Sequence, residues 1–207
     1  MATEVLARRA AAIPTLPLPR SFYERPTTVV ARELLGKVMV QRQGGLTLTA
    51  RIVEVEAYLG LKDAASHARR GPTPRAAIMF GPPGHLYVYL VYGMHHCMNF
   101  VTEPEGTAGA VLIRAAEPLC GFAPGGPASR PILSGPGKVC SGMSISLRDK
   151  GVDLTRADGL FLVADDGSRP PRRAVSPRIG VAYAGPWADR KLRYYVPGNP
   201  HVSGRPR

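Results

Sequence analysis

The stretch "LTLTARIVEVEAYLG", residues 46–60, holds the strongest candidates for chemistry: two carboxylates, Glu54 and Glu56, and an aromatic, Tyr58, at alternate positions. The run is rich in β-branched residues and reads as a strand, in which alternate side chains share a face. Leu46, Leu48, Ala50 and Ile52 precede the acids on the even positions, so that face begins as core and ends as acid and aromatic. The odd positions change the other way, from Thr47, Thr49 and Arg51 to Val53, Val55 and Ala57. A strand with one buried and one wet face does not exchange polarity midway. Carboxylates lining a cleft would be partly desolvated and available as bases. A strand end twisting out to solvent would leave the same glutamates on the surface, and spacing does not choose between the two. Nor does it choose the acting group, because both acids share a face about 6.6 Å apart.

His67 follows in the arginine-rich segment "SHARRG". A carboxylate, a tyrosine and a histidine beside arginines suit an aromatic ligand on a sugar-phosphate backbone, since rings stack on bases and guanidiniums hold phosphate. An ordinary exposed loop histidine has the same spacing. A second aromatic concentration is "HLYVYLVYGMHHCMNF", residues 85–100, with Tyr87, Tyr89 and Tyr92. It reads as a strand, a turn at Gly93 and a returning strand. Tyr87 and Tyr89 share a face with Val91, while Leu86, Val88 and Leu90 share the other with Tyr92. An aromatic at a hairpin tip cannot be buried well by its own chain. His95, His96 and Cys97 alternate faces and make a poor chelate, so no metal and no cofactor are expected.

The elements that must position these groups follow from pattern. "PTTVVARELLGK" reads as a helix capped by Thr27 or Thr28 and stopped at Gly36. "KVMVQRQ" reads as a strand turning through Gly44 and Gly45 into residues 46–58. A helical turn is expected near Asp63, a turn at "GPPG", a strand over 109–118 closed by Pro118, and a helix from "SGPGKVC". "GLFLVAD", "IGVAYAG" and "LRYYVPG" read as strands, "LCGFAPGGPASRP" and the basic "RPPRRAVSPR" as loops, and "NPHVSGRPR" as an extended tail. Residues 1–20 read as a flexible, Pro-punctuated arm and residues 21–207 as a single domain. The class is α+β, one compact domain around an antiparallel or mixed sheet.

The chain has 207 residues, with 27 Lys and Arg against 15 Asp and Glu, a net charge of +12. That balance favours a polyanion, nucleic acid before an anionic membrane surface. No apolar run is long enough to span a bilayer and no basic amphipathic helix is present, so no membrane partner is expected. Three cysteines at 97, 120 and 140 match no zinc spacing and read as reduced thiols in a cytoplasmic protein.

"RIVEVEAYLG", "DAASHARRG", "TPR", "MFGPPGHLYVYLVYGMHHCMN", "VLIRAAEP", "SGPGKVC", "RIGVAYAG" and "LRYYVPGNPHVS", in that order, resemble the alkyladenine (3-methyladenine) DNA glycosylase family over residues 20 to 203. The resemblance implies a monofunctional enzyme that flips out alkylated or damaged purines and cuts the N-glycosidic bond with water. Its substrates would include 3-methyladenine, 7-methylguanine, and in some members hypoxanthine or ethenoadenine. An abasic site is left for base excision repair. It implies a protruding β-hairpin that enters the DNA minor groove. It selects Glu56 as the water-activating carboxylate and Arg114 as its partner. Tyr58, His67 and Tyr89 resemble the residues stacked around the flipped base. Asn99 resembles the residue crowding guanine's exocyclic amine, and Tyr92 the intercalating wedge. Ile179 stands where a main-chain carbonyl meets the water. Arg69, Arg70, Arg75, Met94 and Lys138 are expected on the DNA backbone. The partner would be double-stranded DNA containing damaged purines, bound by a monomer in the cytoplasm or, in a bacterium, the nucleoid. His95, His96, Ala182 and Tyr183 depart from the pattern and bear on which lesions are accepted. A non-catalytic nucleic-acid-binding module would explain the charge and the tyrosines equally. It would not explain a carboxylate pointed into a basic surface.

Overall fold

In the computed structural model, residues 16–122 and 133–204 are described. Strand β1 (Val38–Gln43) turns back through Gly44 and Gly45, both at positive φ, into the long strand β2 (Leu46–Tyr58). Positive φ at both central residues is what a tight two-residue hairpin demands. Strands β3 (Leu86–Val91), β4 (His95–Val101) and β5 (Ala110–Cys120) follow, then β6 (Phe161–Ala164), β7 (Ala174–Ser176) and β8 (Arg193–Tyr195). All pair antiparallel in one sheet of order β3-β4-β5-β2-β1-β6. Beyond Arg51, β1 no longer pairs with β2; β8 pairs with β2 over Glu54–Glu56 and carries β7 on its far edge. The chain is thus a single α+β domain whose sheet curls around β2.

The polarity exchange along β2 has a structural cause. Ile52 pairs with Ala116 and Glu54 with Ala115, so Val53 is an extra residue in the ladder. Val55 then pairs with Ile113, which leaves Arg114 extra on β5. Such bulges re-aim side chains. Leu48, Ala50 and Ile52 enter the main core before the bulge, and Val55 and Ala57 enter it afterwards. The even positions therefore do not keep one face, as simple alternation implied. Glu54 and Glu56 lie buried where β8 pairs with β2, and the Ile179 N–H reaches Glu56.

Helix α1 (Arg20–Tyr23) leads into α2 (Thr27–Leu34), which lays Val30, Ala31 and Leu34 on the core. Neither threonine caps α2. Its N-cap is Pro26, and the free Thr27 N–H donates to Glu103 Oε1 at 2.6 Å, so a carboxylate from the loop after β4 does the capping. Helix α3 (Pro136–Gly142) packs on β4 and β5. The docked chain starts before residue 21: Leu18 is buried and its N–H donates to Val163.

Four further expectations change. β5 runs two residues past Pro118, to Cys120. The "basic loop" contains strand β7. "IGVAYAG" is no strand, because Gly180 at positive φ precedes, and Gly185 at positive φ separates, two tight turns over Ala182–Trp187. The 198–204 segment is turned rather than extended. The polar stretch after β2 forms three 3₁₀ turns, at Gly60–Lys62, His67–Arg70 and Ala77–Phe80. Most of the central Gly- and Pro-rich loop, residues 123–132, lies outside the described residues, as does the arm up to residue 15. Among the described residues no helix is long and apolar enough to cross a membrane.

Candidate active site

Glu54 and Glu56 are both 0% exposed, yet their surroundings differ. Glu54 Oε1 accepts from Arg193 Nε at 2.6 Å and Arg114 Nε at 3.2 Å, and its Oε2 accepts the Ser203 N–H at 2.5 Å. Glu56 Oε1 accepts the Ile179 N–H at 2.7 Å and lies 3.3 Å from Arg114 Nη1, and its Oε2 accepts the Tyr58 hydroxyl at 2.9 Å. The two carboxylates and two guanidiniums form a formally neutral buried group, which is the condition for charges to persist there. Glu54 spends its charge on two arginines and ties β2 to β8 and to the 203 segment. Glu56 keeps neutral donors and one shared arginine. Burial drives its pKa above the usual carboxylate range, opposed by Arg114, the Ile179 N–H and the Tyr58 hydroxyl. That direction makes it a stronger base than a solvated carboxylate.

Tyr58 leads outward from Glu56. It lines a cavity with Ala65, His67, Met79, Tyr87 and Tyr89, closed by Asn99, Ala110 and Tyr183; it holds about 330 Å³ of space, part of it open to solvent. Tyr58, His67, Tyr89 and Asn99, separate candidates in the sequence, line this one cavity. His67 and Tyr89 meet edge to face at 4.6 Å, and His67 Nδ1 shares a hydrogen bond with the Tyr87 hydroxyl at 2.9 Å. Burial, with Arg75 nearby, lowers the His67 pKa to about 4, so the ring is neutral at pH 7. Asn99 is buried and donates its amide to the Tyr87 carbonyl across the β3–β4 ladder. Gly60 sets the turn that carries the chain from Tyr58 to His67: its φ is +67°, and a Cβ there would stand 2.2 Å from the Ala108 carbonyl oxygen.

The hairpin tip is built as expected. Tyr92 and Gly93 have φ of 52° and 69°, and the Met94 N–H closes the turn on the Val91 carbonyl. A bulky residue at positive φ is strained, and such strain gathers at functional positions. Tyr92 is 88% exposed, and Leu90 and Met94 beside it are exposed too. Arg75 lies over the Tyr89 ring at 4.8 Å, Arg69 and Arg70 line an adjoining groove with His67 and Tyr183, and Lys138 is exposed on α3, whose Gly137 abuts His95.

Three features escape sequence reasoning. Arg178 forms a fully buried two-point pair with Asp63, at 2.5 and 2.8 Å, and lies 4.7 Å from the Tyr58 ring. Arg193 and Ser203 complete the Glu54 cluster. Tyr183, 71% exposed, forms an outer wall of the cavity. Only Tyr183 has a sequence signal, as a departure within an otherwise matching motif. For Ile179 the described contact to Glu56 is through its N–H, not its carbonyl.

The methylpurine-DNA glycosylase family profile matches residues 21–200. A protein of Anaeromyxobacter dehalogenans named "Putative 3-methyladenine DNA glycosylase" is 53% identical over 192 residues, covering 91% of this chain and 86% of its own. Proteins of the same name from Methanocella arvoryzae and Myxococcus xanthus are 47% and 49% identical, covering 91% of this chain and 96% and 94% of their own. With a profile spanning most of the domain and relatives this similar, the chain belongs to the methylpurine-DNA glycosylase family.

Proposed function

We propose that this hydrolase of N-glycosyl bonds in DNA flips alkylated purines out of duplex DNA and excises them with Glu56 as the base. The carrying observation is a buried, two-oxygen-tethered carboxylate joined through Tyr58 to an aromatic cavity, on the domain that also presents Tyr92 at an exposed hairpin tip. A glycosidic bond inside the stack is out of reach, so the nucleotide must be extruded at a cost of a few kcal/mol. An aromatic inserted into the gap offsets part of that cost. Tyr92, exposed in the free protein, gains its burial partner when the hairpin enters the minor groove. Tyr58, His67 and Tyr89 then enclose the base. Asn99 at the floor crowds guanine's exocyclic amine. Arg69, Arg70, Arg75, Met94 and Lys138 track the backbone.

In the chemical step the water oxygen bonds to C1′, the glycosidic bond breaks, and its electron pair leaves with the purine. Glu56 takes the water proton, and its charge also favours the cationic sugar of the transition state. Arg114 fixes the carboxylate while spending its remaining donors on Glu54 and Ser203. Purines alkylated at N3 or N7, such as 3-methyladenine and 7-methylguanine, carry positive charge and leave without a general acid. Hypoxanthine or ethenoadenine needs a proton that neutral His67 is poorly placed to give. The protein acts as a monomer. The test is excision from duplex oligonucleotides bearing each lesion, read as alkali-cleaved abasic sites. Wild type should cut the methylated purines and Glu56→Gln should not. A wild type that binds lesion duplex and cuts none of them would leave a binding module.

A further inference from the structure

Tyr58 presents two working surfaces. Its ring lines the aromatic cavity, and its hydroxyl donates to Glu56 Oε2 at 2.9 Å. The ring is backed by the Arg178 guanidinium at 4.7 Å, which Asp63 holds at two points. On the carboxylate, Oε1 is taken by the Ile179 N–H and Arg114. Among the described contacts Oε2 has the Tyr58 hydroxyl alone, so a lone pair remains free on Oε2 beside that hydroxyl. We infer that Tyr58, through its hydroxyl, is the positioning residue of Glu56: it keeps the carboxylate ionised and fixes which lone pair receives the water. The ring that walls the cavity against an entering base is thus the same side chain that readies the carboxylate. The inference rests on the assignment of Glu56 as the base.

The other groups around Glu56 leave Tyr58 as the adjustable one. Arg114 is shared with Glu54, Arg193 is held by Glu54, and Arg178 is held by Asp63. Tyr89 and Cys97 also face it, and burial raises the pKa of both, so both are neutral. A hydrogen bond to the charged form favours that form. The Tyr58 hydroxyl therefore opposes the effect of burial on Glu56, as Arg114 and the Ile179 N–H do.

The experiment is single-turnover excision of 7-methylguanine from duplex by the full chain, followed against pH. The cationic lesion needs no acid, so the low-pH limb reports the base. Tyr58→Phe keeps the ring and deletes the donor. The limb should move to higher pH and the rate on it should fall about tenfold, the effect of roughly one hydrogen bond to a charged group. The high-pH plateau should fall by less than the limb, because Glu56 is ionised there with or without the hydroxyl and only the fixing of its lone pair is lost. Replacing Tyr58 by 3-fluorotyrosine strengthens the donor and should move the limb to lower pH. If both leave the limb in place and only affinity changes, Tyr58 is a stacking wall and the inference is overturned, with Glu56 still the base. If Glu56→Gln cuts at the wild-type rate, the assignment beneath it falls instead. Should Tyr58→Phe fail to fold, the fluorotyrosine protein alone decides, and an unmoved limb overturns the inference.

Discussion

Glu54→Gln and Glu56→Gln should separate stability from chemistry. Glu54 accepts from two guanidiniums and a backbone N–H with no exposure. Removing its charge leaves Arg193 without its carboxylate and Arg114 with Glu56 alone, one carboxylate for two buried cations. Breaking a buried pair costs about 3–5 kcal/mol. Glutamine keeps the shape and one acceptor, so the low end, about 3 kcal/mol, applies. For a domain of 150–250 residues that lowers Tm by about 6–12 °C. Glu56 behaves oppositely. Its folded pKa lies above its unfolded value, mainly through burial, so its ionisation costs stability once the pH exceeds the unfolded value. At pH 7 Glu56→Gln removes that cost along with one Arg114 contact, and Tm should hold or rise. Its excision rate should fall about 10²–10⁴-fold, the loss of a general base. The assay pairs thermal unfolding with single-turnover excision of 7-methylguanine at the same pH. A Glu54→Gln protein with wild-type Tm and no activity, beside an active Glu56→Gln, would refute both the division of roles and the charge argument behind it.

Tyr92→Ala should leave Tm within about 2 °C, as an exposed substitution does, and slow excision from duplex by about 1–3 kcal/mol, least for poorly paired lesions; an unfolded variant would make Tyr92 a core residue. His67, with its pKa near 4, should show no imidazole titration by NMR between pH 5 and 8; a midpoint near the ordinary value would return it as a candidate acid. Asn99→Ser should relax discrimination against guanine by about 10–200-fold in relative single-turnover rate on guanine and hypoxanthine. An unchanged ratio would move the gate to another wall of the cavity, Tyr183 first.

Local pattern carried much of the sheet and stopped where distant segments meet. The β1–β2 turn, the β3–β4 hairpin and the exposed Tyr92 follow from Gly placement and alternation within short windows. The polarity exchange in β2 was visible as an anomaly. Its cause, an extra residue opposite Ala115–Ala116, depends on a partner strand some sixty positions away and has no local signature. Alternation also could not rank Glu54 against Glu56, because what distinguishes them arrives from Arg193 and Ser203, 139 and 149 positions later. The family resemblance chose Glu56; the hydrogen bonds distinguish the two acids by committing Glu54 to Arg193, Arg114 and Ser203. The segment 179–187 misled because Ile, Val and Tyr alternate like a strand, while Gly180, Gly185 and Pro186 impose turns.

The Ser203 N–H on Glu54 carries a consequence for synthesis. A ribosome adds about 5–20 residues per second, so β2 emerges on the order of ten seconds before a partner 149 positions downstream. Until then its inner carboxylate has neither Arg193 nor Ser203, and the ladder to β8 is missing. The hairpin that holds Tyr92 is complete long before. In the nascent chain the Tyr92 hairpin can therefore form well before the Glu54 cluster, which closes only when β8 and the 203 segment arrive.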